Sequence, residues 1–217
     1  MKNHSTTTTT ARWKRRSEAR PAEIVAAALA LFVERGFATT RMEEIAARAG
    51  VTKGTVYLYF KSKEELFRAA LEQSLVPTVE LGEQLLESHT GSAHDLVRLL
   101  LTTWWSVIGR EPTSGIPKLM VSEAGNFPAL ARDFVEKVHK RGRRLCAAAL
   151  RKGVESGEFR ADLNIDAAVR VGFAPVTAFV IHKHSLACYE TDSLDLDKVV
   201  ELHIDIFLRG ISREQTT

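Results

Sequence analysis

Apolar side chains recur along this chain at intervals of three and four, the spacing that gathers them on one face of an α-helix. Ile24, Ala27, Ala28, Leu31 and Phe32 form a first stripe, and Ile45, Ala46 and Ala49 a second. Val56 with Phe60 forms a third, and Leu66, Phe67, Ala70, Leu71 and Leu75 a fourth. From Val79 onward the same spacing predicts helices over 79–88, 93–109, 116–123, 127–155, 164–186 and 194–210, separated by Gly, Pro or Ser/Thr clusters. No alternating strand pattern competes. The chain reads as all-α.

The polar residues between the stripes supply the punctuation. Pro21 fits the first turn of a helix that ends at Arg35 and is stopped by Gly36. Thr40 with Glu43, and Ser62 with Glu65, have the spacing of capping boxes, in which a hydroxyl accepts a first-turn amide and a carboxylate reaches back to the cap's own amide. Thr52 can cap a third helix between them. The link Ala49-Gly50-Val51-Thr52 joins two short helices across a glycine suited to positive φ, and Val51 can plug the turn. This is a helix-turn-helix pattern. It divides the chain into a disordered basic arm over 1–20, a three-helix unit over 21–67, a larger helical bundle over 68–211 and a tail over 212–217. A helix beginning at Glu64 leaves the first unit for the second, and Pro77 interrupts or kinks it.

The second helix of the pair keeps Lys53, Gly54, Thr55, Tyr57 and Tyr59 outward. A lysine and hydroxyls near a helix start suit phosphate oxygens, a glycine permits close backbone approach, and phenols offer a ring for thymine methyls and a hydroxyl for phosphate. Taken singly, each residue fits a solvated helical hairpin. Their joint order points to DNA.

These residues also carry a resemblance. From about Ile24 to Phe67, through Ala28, Leu31-Phe32, Gly36-Phe37, Thr39-Thr40, Ile45-Ala46, Ala49-Gly50-Val51, Lys53-Gly54-Thr55, Tyr57, Tyr59-Phe60, Lys63 and Leu66, the chain resembles the DNA-binding domain of the tetracycline-repressor (TetR) family of bacterial transcription regulators. The resemblance implies that Thr40 and Lys63 lie at phosphates, that Lys53, Gly54 and Thr55 lie near base edges, and that Tyr57 and Tyr59 follow the backbone. Thr39 and Thr52 join them in the expected interface. Leu58 departs from the pattern, since many relatives have a polar or aromatic residue there. Ser122 to Ala131 resembles a loop-and-helix segment of multidrug-type members. The resemblance further implies that the helix starting at Glu64 carries ligand-driven motion, and that the last two helices form a four-helix dimer interface with their symmetry mates.

Composition narrows the picture. With 217 residues, 45% hydrophobic and 26% charged, the chain can bury a small module and a second, larger core. The ten-residue apolar run Ile24 to Val33 is too short to span a bilayer and nothing resembles a signal peptide, so a cytoplasmic protein without a membrane partner is expected. Cys146 and Cys188 provide no disulfide framework. Charge is uneven: residues 1–20 carry six basic side chains against one acidic, whereas residues 76–217 carry 17 against 19. The arm, with Trp13 among its cations, can follow phosphates or enter a minor groove, or it is only a solubilising tail.

A ligand cavity is expected between helices of the larger domain. Trp104, Trp105, Phe127, Phe134, His139, Cys146, Phe173 and His182 are candidate walls, each with simple core packing as its alternative, and Pro175 can kink the helix that holds it. His182 and His184 stand two apart and point to different sides of a helix, which argues against a shared metal ion. No phosphate-binding glycine loop, nucleophile elbow or paired-metal motif occurs, so neither a cofactor nor an enzyme is expected. The sequence thus points to a homodimeric, ligand-responsive regulator. It would repress from a palindromic double-stranded DNA operator and be released by a small hydrophobic or amphipathic effector. The alternative is a helical small-molecule carrier or enzyme whose helix-turn-helix is only structural.

Overall fold

The computed structural model describes residues 7–109, 113–191 and 194–213, with side chains from residue 20 onward. It contains two compact units, Met1–Ala70 and Leu71–Thr217, which divide inside a helix three residues beyond the boundary expected from the sequence. Among the described residues it is helical throughout, with one isolated antiparallel bridge between Phe159 and Ser212.

In the first unit α1 spans Thr7–Arg35, α2 Met42–Arg48 and α3 Lys53–Tyr59, and α4, Lys63–Ser74, begins there. α1 does not start at Pro21. It runs through it, correcting both the expected helix start and the disordered arm from residue 7 onward; residues 1–6 lie outside the described residues. The segment ahead of Pro21 is rich in Ala, Arg, Lys and Glu, good helix formers. The proline removes one helical N–H, the donor that would have met the carbonyl of Ser17. Ile24, Ala28 and Phe32 are completely buried, as are Ile45, Val56 and Leu66. Phe67 meets Phe32 and Phe37 edge to face at centroid distances of 5.8 and 5.4 Å, and Phe32 and Phe37 are tilted against each other at 5.0 Å.

The turn between α2 and α3 is a Schellman motif. Gly50 takes φ of +64°, Val51 N–H donates to Ala46 O at 3.0 Å, and Gly50 N–H donates to Ala47 O at 3.2 Å. Thr52 caps α3, its Oγ1 accepting from Thr55 N at 3.2 Å. The two expected capping boxes shift. Glu44, not Glu43, reaches back to the cap of α2, accepting from Arg41 N at 2.8 Å, while Thr40 is buried with its hydroxyl donating to Gly36 O at 2.8 Å. At α4, Ser62 Oγ accepts from Glu65 N, but the Glu65 carboxylate takes the amide of Lys61 instead of that of Ser62.

In the second unit α5 is Val76–Ser88, α6 Ala93–Ile108, α7 Ile116–Glu123, α8 Pro128–Phe134, α9 Lys140–Glu155, α10 Ile165–Lys183 and α11 Leu196–Ile211. Pro77 does not kink a long helix. α4 ends at Ser74 and Pro77 opens α5, where its missing N–H is one the first turn leaves unpaired anyway. The helix expected over 127–155 is present as α8 and α9, joined by a π-helical turn, Val135–His139. α5, α6, α9, α10 and α11 pack around Leu96, Leu101, Ala149, Leu150, Val176 and Leu208. α10 continues across Pro175, and at 19 residues it is long and apolar enough by length and composition to cross a membrane, which the ten-residue Ile24–Val33 run did not suggest. Ala168, Val169, Gly172, Val176 and Val180 bury one face of it in the bundle, while most of the helix is not buried within this chain. Ser212 and Arg213 are no free tail: Arg160 N donates to Ile211 O and Arg213 N to Glu158 O.

Candidate functional site

Two places in the fold gather chemistry, one in each unit. In the first, α3 is held at its base by Val56 and capped by Thr52, which leaves Lys53, Gly54 and Tyr57 exposed and Thr55 and Tyr59 half-buried. Lys53 is paired with Glu43 on α2 and lies 5.8 Å from the centre of the Tyr57 ring. The Glu43 hydrogen bond, ahead of its charge, raises the Lys53 pKa, so the ammonium is fully charged at neutral pH. A Cβ placed on Gly54 would meet only Thr52 Oγ1, at 3.8 Å, so this position is open toward solvent.

The other expected contacts are built differently. Thr40 is 1% exposed and its hydroxyl is spent inside the unit. Thr39 is exposed, with its hydroxyl donating to Arg35 O. Lys63 ties α4 to the α1–α2 turn, donating to Ala38 O at 2.9 Å and Thr40 O at 3.0 Å and covering the Phe37 ring at 4.7 Å. Thr40 and Lys63 thus both brace the α1–α2 turn. Leu58, the departure noted in the sequence, is 77% exposed.

In the second unit a cavity of about 580 Å³ opens between α5, α6, α7, α8, α9 and α10. Of the candidate walls, Trp104, Phe134, His139, Cys146 and Phe173 line it. Trp105, Phe127 and His182 do not. Trp105 Nε1 donates to Asp197 Oδ1 at 2.7 Å, Phe127 sits at the N-terminal cap of α8, and His182 is 3.1 Å from Glu190. His184 bonds Ser114, so the two histidines do face different partners. Trp104 and Phe173 meet edge to face at 6.5 Å. Met120, Leu145, Val169 and Ile181 fill out a predominantly apolar wall of a size typical for small-molecule sites.

Sequence reasoning missed two wall residues of a different character, Arg143 and Arg170. The signal was present: Arg143 follows His139 by four residues and Arg170 precedes Phe173 by three, which is the same helical face. Both guanidiniums act on His139, whose pKa is lowered first by desolvation and then by the charges of Arg143 and Arg170. The Cys146 thiol is pushed up by burial alone, which makes it a poor nucleophile.

Comparison with known proteins agrees with this division. Residues 24–70 match the family model described as bacterial regulatory proteins, tetR family, and residues 87–202 match the tetracyclin repressor-like C-terminal domain. The chain is 28% identical over 194 residues to the HTH-type transcriptional repressor KstR2 of Mycolicibacterium smegmatis, covering 89% of this chain and 91% of that protein. The structure of the ketosteroid transcriptional regulator KstR2 of Mycobacterium tuberculosis superposes with a TM-score of 0.69 at 26% identity, covering 90% of this chain and 96% of that one. FadR of Bacillus subtilis, in complex with stearoyl-CoA, has the same fold, with a TM-score of 0.70 at 20% identity and coverage of 88% and 98%. With its reading helix on one unit and an apolar cavity in the other, both matched to the same family, the chain belongs to the tetracycline-repressor (TetR) family of bacterial transcription regulators.

Proposed function

We propose that this regulator is a repressor that binds a palindromic operator as a homodimer in the cytoplasm and leaves it when a small amphipathic effector fills the cavity. The observation that carries the reading is the exposed face of α3, where Lys53, Gly54, Thr55 and Tyr57 are presented by a rigid Schellman turn and a threonine cap. Lys53, Gly54 and Thr55 face base edges, and Tyr57, Tyr59, Thr39 and Thr52 meet the backbone. Thr40 and Lys63 act by holding the α1–α2 turn.

Two recognition helices about one DNA turn apart, roughly 34–36 Å, need a dimer. Support for one comes from Val171 on α10 and Leu202 and Ile206 on α11, which are 59%, 59% and 60% exposed on helices that pack against each other. Lys137, in the π turn of the cavity wall, is paired with Glu72 on α4, the helix whose first residues belong to the DNA-reading unit. That pair offers a route from effector to operator through α4. To release DNA substantially, the effector must favour the non-binding state by about 100-fold in affinity.

The test is binding to the DNA upstream of the gene and its neighbour across a salt series. Lys53→Ala should cost about 1–3 kcal/mol of specific binding and relax the base preference at its position. Binding indifferent to sequence at every salt concentration would refute the reading and favour a carrier.

A further inference from the structure

The cavity is apolar in depth and cationic at its mouth. Among the described residues that line it there is no aspartate or glutamate, yet two arginines are present. The Arg143 and Arg170 side chains are 36% and 57% exposed, so they stand at the opening instead of in the interior. Their nearest counter-charge is shared and loose: Asp166 lies 3.7 Å from Arg143 and 3.9 Å from Arg170, both beyond hydrogen-bonding distance, and is itself largely exposed. Arg170 also donates to the main-chain oxygen of Asp166 at 2.8 Å. Two guanidiniums offer ten N–H donors between them, and one carboxylate offsets one of the two charges. The charges of both converge on His139, which is held neutral at physiological pH and so adds a hydrogen-bonding group without a further charge. Deeper in the cavity, Trp104 adds its ring to the apolar wall, with its Nε1 buried away from the open space.

We propose that the cavity takes an organic anion, whose apolar skeleton fills the pocket and whose carboxylate or phosphate head lies between Arg143 and Arg170. This rests on the reading of the cavity as the effector site. Guanidinium pairs recognise planar or tetrahedral oxyanions through forked, charge-assisted hydrogen bonds, whereas a cationic ligand of the same shape is repelled at the entrance.

The test uses the full-length protein without DNA, titrated by calorimetry with dodecanoate, dodecyl phosphate, methyl dodecanoate and dodecylammonium. One or both anions should bind more tightly than the ester, and the ammonium least. The pair of anions separates a carboxylate site from a phosphate site. Arg143→Gln with Arg170→Gln should weaken the anion by about ten- to a hundredfold while leaving the ester within about twofold. The Arg→Lys pair should restore part of the loss, and thermal melting checks that each variant is folded. Equal binding of ester and anion, preference for the ammonium, no binding by either anion, or arginine variants that bind dodecanoate normally would overturn the inference. Operator binding is measured separately with the same protein. Operator release by dodecylammonium alone would sink the anion site and leave the regulator standing, whereas absence of operator binding would sink the regulator whatever the titration shows.

Discussion

Thr40 shows how a residue can belong to a motif and serve it from the inside. Its hydroxyl satisfies Gly36 O at the end of α1, and its side chain is buried under the turn that carries α2. Thr40→Val keeps the shape and removes that bond. It should cost about 1 kcal/mol in urea unfolding and leave the operator affinity of the folded protein unchanged. A phosphate contact from the hydroxyl would instead lower affinity with no loss of stability. The cap of α2 was out of reach of sequence reasoning for a related reason. Thr40 with Glu43 and Arg41 with Glu44 offer the same spacing one residue apart, and only burial of Thr40 selects the second. Arg143 and Arg170 were missed because charged residues on amphipathic helices are ordinarily solvated, and the face they share with His139 and Phe173 tells only once those two are known to line a cavity. The apolar walls Trp104, Phe134 and Phe173 were legible because their spacing matches the helices that carry them.

Elements were legible wherever apolar spacing and punctuation agreed. α6, α7 and α11 lie within two residues of their expected bounds, since Ser92, Pro117 and Asp195 mark their starts unambiguously. α1 was not, because a proline that usually opens a helix here sits within one. Long-range caps were equally invisible. Glu158 accepts from Ala93 N at 2.9 Å and His94 N at 3.1 Å, so a residue 65 positions away caps α6 and fastens it to the segment after α9. The Ala93 bond first, and then the bond from His94, hold the Glu158 pKa below the ordinary value. A depressed carboxylate pKa contributes stability that is fully present above the unfolded value, roughly 4.3, and is lost as pH falls through the folded value. Glu158→Gln should therefore melt a few degrees below the unmodified protein at pH 7, with the gap closing on acidification below about pH 4. A gap constant across that range would mean that the carboxylate's charge is not what holds α6.

At the scale of the molecule, one prediction concerns assembly. Leu202→Glu with Ile206→Glu puts charge on the exposed stripe of α11 without disturbing the buried face formed by Val200, Ile204 and Leu208. Sedimentation at micromolar concentration should change from dimer to monomer, and operator affinity should fall by at least about 100-fold while thermal unfolding stays cooperative. A variant that remains dimeric would move the interface elsewhere.

The π turn at Val135–His139 has a consequence for how such a regulator changes over time. Its widened hydrogen bond, from Lys140 N to Val135 O, takes up one residue more than an α-helical turn would, while α8 and α9 continue on either side. Losing that residue can be absorbed by tightening the turn, so Phe134 and Arg143 keep facing the cavity. A deletion within α6 or α10 would instead rotate everything downstream by about 100°. The wall of the cavity thus has slack at one point, where the chain can shorten by a residue: effector preference can drift by such a loss while the DNA-reading unit, a separate compact body, is left untouched.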